Sequence, residues 1–251
     1  MSSPNLLQRL TVRQFADRFN GEMVALGNRF RYFCSATLLG PEDLKEYLDE
    51  PVAALPPKLA AVLPPIQILL VPYLRHDGAG QGKKKAEVLV ATEKPDEEKA
   101  SLSAALIASP DTVLAFAVEE AEVADYHYRF YRAIAEIIAG NRIPAAYADL
   151  LRDEIRAGAH GEVDESSWRL KVELRDGDAE AAKPPRKFTA YLRQSFIDTL
   201  TLYLHGICCD IDVDPGPRQL ASNLIRKRLR WLRDLYPPPE GYAVLPEDSK
   251  S

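Results

Sequence analysis

The sequence predicts an α+β protein, with a strand-rich N-terminal half with short helices and a helical C-terminal half packed on it. Three observations lead there. Residues 29–39 (RFRYFCSATLL), 66–74 (IQILLVPYL) and 112–118 (TVLAFAV) are short runs dense in β-branched and aromatic side chains, the composition of strands. From residue 119 onward the apolar residues instead recur at helical spacing. The 251 residues are 46% hydrophobic and 27% charged, as in soluble globular chains, which excludes a collagen-like or wholly disordered one.

The elements follow in order. Thr11 with Gln14 three positions on matches a capping box, so a short helix is expected over 12–20 with Phe15 and Phe19 on one face. The strand at 29–39 ends at Gly40–Pro41, and Pro41 suits the first turn of a helix through Leu48. Five prolines between 51 and 65 leave room only for a brief helix near 58–62. A buried strand then covers 66–74, with Pro72 at an edge or near its end. The polar, glycine-rich RHDGAGQGKKK at 75–85 connects it to a strand at 87–92 as a hairpin. Residues 96–108 are expected to be helical, and 112–118 a further strand.

In the second half a helix is expected over 119–139, with His127 on its apolar stripe, ending at Gly140–Asn141. Pro144 opens the next, to about 156, and 165–174 fits either helix or strand. A long helix over 188–208 carries Phe188, Leu192, Ser195 with Phe196, Thr199, Tyr203 and Cys208 on one stripe. The last helix, 219–235, places Ile225, Leu229, Leu232 and Tyr236 together before the proline run at 237–239. This divides the chain into a mixed region at 1–118, a helical region at 119–236 that can continue the same domain, and an extended tail at 237–251.

No apolar run approaches the ~18 residues of a membrane span, and the polar N-terminus is unlike a secretory signal. Three cysteines, two of them adjacent (Cys208 and Cys209), form no disulfide framework. A cytoplasmic protein with reduced thiols is the expectation. The net charge is −5, yet residues 183–236 hold 10 Lys/Arg against 5 Asp/Glu. A mildly acidic whole argues against general nucleic-acid affinity, while the basic segment leaves a local anionic partner open.

The sharpest chemical cluster is 205–214, HGICCDIDVD. His205 lies three residues before Cys208 and four before Cys209, so either pair shares a helix face and can supply thiolate and imidazole to one zinc ion. Asp210 or Asp212 can add a carboxylate, and His160 or His127 would complete the set from a distance. The alternative is packing, with cysteines acting as small apolar side chains. The run TLYLHGICCDID at 201–212 resembles the zinc-site helix of zincin-type metallopeptidases, H-E-x-x-H, with Gly206 at the glutamate position and Cys209 at the second histidine. The resemblance implies at most a degenerate relative, since without the glutamate water activation loses its proton acceptor. DIDVDPG at 210–216 partly matches a calcium loop, but Pro215 displaces the glycine and Ala221 occupies the twelfth position.

Other motifs are weaker. In AHGEVDE (159–165) a carboxylate can tune His160 as an acid/base group, against the plainer reading of a turn before an acidic helix start. HDGAGQGKKK does not match the phosphate-loop pattern, and no G-x-S-x-G occurs. Cysteine catalysis by Cys208 or Cys209 with His160 rests on residue types alone. On the last helix Arg226, Arg230 and Arg233 form a cationic stripe beside Lys227, Arg228 and Trp231. It can dock an anionic surface, or be a solvated face whose stems cover apolar surface.

The leading expectation is a soluble intracellular accessory or protein-interaction protein, binding a protein partner or its own copy, with a structural metal near His205 and Cys209. A metal-dependent hydrolase using His160, His205 and Cys209 is the alternative, and it requires the two histidines to converge. Binding of an anionic partner by the last helix is the third.

Overall fold

The computed structural model describes residues 10–77, 87–107, 112–119, 121–141, 143–176, 185–208 and 219–244. They fall into two compact units, residues up to 52 with 63–129, and residues 53–62 with 130 onward. The mixed α+β class is as expected, with strands in the first half and helices through the second. The division falls inside a helix, after Arg129.

The first unit is built on a five-stranded sheet in the order β1 (Val24–Leu26), β2 (Phe30–Cys34), β3 (Ile66–Val71), β8 (Thr112–Ala117), β7 (Ser103–Leu106). Strands β2, β3 and β8 are parallel, with Ile68 opposite both Tyr32 and Leu114. The edge strands β1 and β7 are antiparallel to their neighbours. Every residue of β3 and β8 is buried, which is why both read as unbroken apolar runs rather than alternating ones. The pleat sends Leu69, Val71, Val113, Ala115 and Ala117 to one face, against Val12, Phe15 and Ala16 of α1 (Val12–Arg18). On the opposite face Phe116 meets Tyr126 edge-on at 4.9 Å, and Tyr126 packs on Tyr47 at 4.8 Å. The capping box of α1 is present, with Gln14 N donating to Thr11 Oγ1 (3.2 Å) and Thr11 N to Gln14 Oε1 (3.0 Å).

Pro72 ends β3, and the chain passes into a separate three-stranded sheet, β5 (Val88–Ala91), β4 (Tyr73–His76), β6 (Ala100–Ser101). Strands β4 and β5 pair antiparallel, as the hairpin expectation requires. The loop 78–86 between them lies outside the described residues.

Two expectations are corrected here. The described part of the expected helix, 96–107, is not helical: a single 3-10 turn, Glu97–Lys99, precedes β6 and β7. The segment 100–106 bonds first to β4 and then to β8, so tertiary pairing overrides the helix propensity of its alanines. Strand β1 was unmarked by composition; Gly27, at φ 79°, makes the turn that folds it onto β2. The helix after Pro41 also runs further than expected. Following α2 (Pro41–Leu44), a π turn at Lys45–Asp49 carries the chain into α3 (Glu50–Ala53). Glu50 N donates to Lys45 O there, just ahead of Pro51, which has no N–H to give.

The second unit contains α4 (Pro57–Ala60), most of α5 (Val123–Asn141), α6 (Ala145–Arg156), α7 (Glu165–Asp176), α8 (Pro185–Cys208) and α9 (Ser222–Leu235). The ambiguous 165–174 is helix, and α5 starts four residues later than expected. Among the described residues no helix is long and apolar enough to cross a membrane.

Candidate functional site

The predicted metal cluster divides between described and undescribed residues. Cys209, Asp210 and Asp212 lie outside the described ones, as does the calcium-like loop. His205 and Cys208 are half-buried on the last turn of α8, with the His205 ring 6.3 Å from that of Tyr131. His160 is exposed, and its Nδ1 accepts from Arg175 Nη1 at 3.1 Å. Arg175 is at the end of α7 that faces the start of α8, where Lys187 Nζ reaches the Glu173 carbonyl. His205 lies 18 positions beyond Lys187, about 27 Å of helix. The hydrolase reading requires His160 and His205 to converge; His160 contacts Arg175 near the start of α8, whereas His205 is on its last turn. Among the described residues no three His, Cys, Asp or Glu side chains are grouped to hold a metal ion. His127 is buried, and its Nε2 bonds the Glu46 carbonyl at 2.9 Å.

The basic last helix also differs from its sequence reading. Arg226, Lys227 and Arg230 are exposed, and Arg233 is half-buried beside Asp234 (3.3 Å). Arg228, grouped with them by sequence, is fully buried. It lies three positions from Ile225, four from Leu232 and next to Leu229, all buried on this helix, so it enters the core with them.

Around Arg228 the helical unit encloses an ionic cluster. Its Nε and Nη2 donate to Glu154 Oε2 of α6 at 3.1 and 2.5 Å. Its Nη1 donates to Glu162 Oε2 (2.8 Å) and Ser195 Oγ of α8 (3.0 Å), and Nη2 to Glu162 Oε1 (3.0 Å). Glu162 also accepts from Tyr191 Oη and from Lys171 Nζ (3.2 Å), and Lys171 donates to the Gly161 carbonyl as well (2.8 Å). Gly161, at φ 75°, makes the turn that carries Glu162 inward, and Leu220 N donates to the Glu162 carbonyl (3.0 Å). Burial pushes the Glu162 carboxyl upward, but the hydrogen bonds and charge of Arg228, with Lys171 and Tyr191, hold it below the usual carboxylate range. Glu162, one of the carboxylates the sequence offers near His160, has Arg228, Lys171 and Tyr191 as its partners.

Glu154, Glu162, Lys171 and Arg228 are each 3% exposed or less. Two cations balance two carboxylates, and the cluster presents no open face to a substrate. Its chemistry is to join α6, the 157–164 turn, α7, α8 and α9 through shared hydrogen bonds. The sequence signal for it was available: a cation on the apolar stripe of the last helix can be buried only if carboxylates meet it.

The other chemically distinctive feature is the outer edge of β7. This strand pairs with β8 on one side, and no described strand pairs with it on the other. Residues 100–107, ASLSAALI, contain no charge and no proline. Ser103 and Ala105 are exposed; Leu102 and Ile107 are 46% and 50% exposed. Ala117 N donates to Leu102 O, which makes 102 and 117 a hydrogen-bonded pair. By the antiparallel alternation, Ala104 and Leu106 also turn their N–H and C=O toward β8, and Ser103 and Ala105 turn theirs outward. Natural sheets usually blunt such an edge with charge, proline or a bulge.

Comparison with family models, with curated proteins and with solved structures finds no match.

Proposed function

We propose that this chain is a protein-interaction module that binds by strand addition along the outer edge of β7. The observation that carries the reading is the charge-free, proline-free edge at 100–107, with exposed Leu102 and Ile107 beside it. Strand addition draws affinity from main-chain hydrogen bonds and specificity from the flanking side chains. The ionic cluster supports the same reading from the other unit: its charges are used for structure, and it is closed to substrates.

The test pans a phage-displayed random dodecapeptide library on the wild-type protein and on Ala105→Pro. The substitution removes the outward N–H at an exposed edge position, where proline is tolerated. Enriched peptides should alternate β-branched residues and lose binding on Ala105→Pro. Peptides that bind both proteins equally would overturn strand addition at this edge, as would a failure to enrich any peptide from a protein that is also monomeric.

A further inference from the structure

We infer that the strand received by this edge is the same strand of a second copy, paired antiparallel about a two-fold axis at Ala104. The inference rests on the strand-addition reading and specifies its partner. An antiparallel edge is able to pair with itself only if a two-fold axis superposes outward-facing residues on outward-facing residues. Ser103 and Ala105 meet that condition. With the axis at Ala104, Ser103 of each copy faces Ala105 of the other, and both pairs exchange their outward N–H and C=O groups, the Ser103 carbonyl using its second lone pair because it already accepts from Ser101 Oγ at 3.0 Å.

The side chains suit the same register. Ala104 meets its own copy in a non-hydrogen-bonded pair, where Cα atoms approach to about 4.5 Å and a small residue fits best. Leu102, at the bend before β7, then faces Leu106 of the second copy. The segment Leu-Ser-Ala-Ala-Leu is close to a palindrome about Ala104. Leu102, now 46% exposed, gains an apolar neighbour. The charge pattern agrees, because nothing between Ala100 and Ile107 repels its own copy. Like charges directly opposite are the usual barrier to such pairing. The partner this edge fits is therefore one as neutral and as small in side chain as itself.

The experiment is sedimentation velocity on the full chain from about 1 to about 100 μM, where modest interfaces associate. It compares wild type with variants at the exposed positions 103 and 105, whose folding is checked by circular dichroism. Wild type should dimerise. Ser103→Lys with Ala105→Lys sets lysine against lysine twice and should weaken the dimer at least tenfold. Ser103→Lys with Ala105→Glu sets lysine against glutamate twice and should tighten it about fivefold, from two cross-strand pairs. Mixing the Lys/Lys protein with Ser103→Glu/Ala105→Glu should restore association as a heterodimer.

A wild type that stays monomeric through the range overturns the inference. So does a dimer indifferent to Lys/Lys, or a Lys/Glu variant no tighter than Lys/Lys. The two readings separate cleanly. A monomeric protein whose selected peptides are lost on Ala105→Pro keeps strand addition and removes the second copy. A dimer that survives both Lys/Lys and Ala105→Pro counts against both.

Discussion

The two units bury their interiors with opposite chemistry. The sheet unit packs β3 and β8 against α1 through aliphatic and phenylalanine side chains, with Gln67 and Thr112 the buried polar residues of those strands. The ionic cluster of the helical unit places four formal charges in the core and holds them with a connected set of hydrogen bonds that includes Tyr191 and Ser195. Apolar burial is non-directional and proportional to area, so it degrades gradually when one side chain is trimmed. An enclosed ionic cluster is directional, and it fails abruptly when one member is removed because the others stay charged in a low-dielectric interior. The interior of the sheet unit therefore tolerates a trimmed side chain better than the cluster of the helical unit tolerates a lost charge.

The largest effect should come from breaking the cluster. Arg228→Met leaves Glu154 and Glu162 without their shared guanidinium and should cost about 3–5 kcal/mol, measured by urea unfolding. A cost below about 1 kcal/mol would mean that the carboxylates find other partners, and the contrast between the units would fall.

Acid sharpens the same contrast. The folded-state pKa of Glu162 is depressed relative to the unfolded chain, whose glutamates titrate near 4.3. Its contribution is fully present above about that pH and is lost as pH falls through the lower folded value. Asp198, whose carboxyl burial pushes up, contributes with the opposite sign and blunts the effect. Hydrogen exchange should show amides of α8 and α9 losing protection on acidification before those of β3 and β8. Opening of the sheet unit first would contradict this. Leu69→Ala provides the control: a loss of about 2–5 kcal/mol that stays constant across the same pH range.

The smallest effect tests local against tertiary stabilisation. Thr11→Ala removes the acceptor for Gln14 N and should cost about 1 kcal/mol. Thermal unfolding would detect it, and a cost as large as that of Leu69→Ala would show that α1 depends on its cap more than on Phe15.

Much of the local structure was legible beforehand. The capping box of α1, the runs that became β2, β3 and β8, the Pro144 start of α6 and the length of α8 all follow from periodicity and from Gly, Pro and Thr chemistry acting over a few residues. The candidate site was much less so. His160 carried the attention of the 159–165 motif, yet its neighbour Glu162 turned inward instead.

The residue sequence by itself determined where chain segments are stiff, apolar or broken, because those properties belong to each residue and its near neighbours. Tertiary structure alone decided that 100–106 is strand rather than helix, since the deciding partners are β4 and β8. It alone decided that Arg228 is a core residue while Arg226 and Arg230 are exposed, since its carboxylates come from 74 and 66 residues earlier in the chain. A hydrogen bond or a strand pairing is a relation between two places, and its energy appears only once the fold has brought them within about 3 Å of each other.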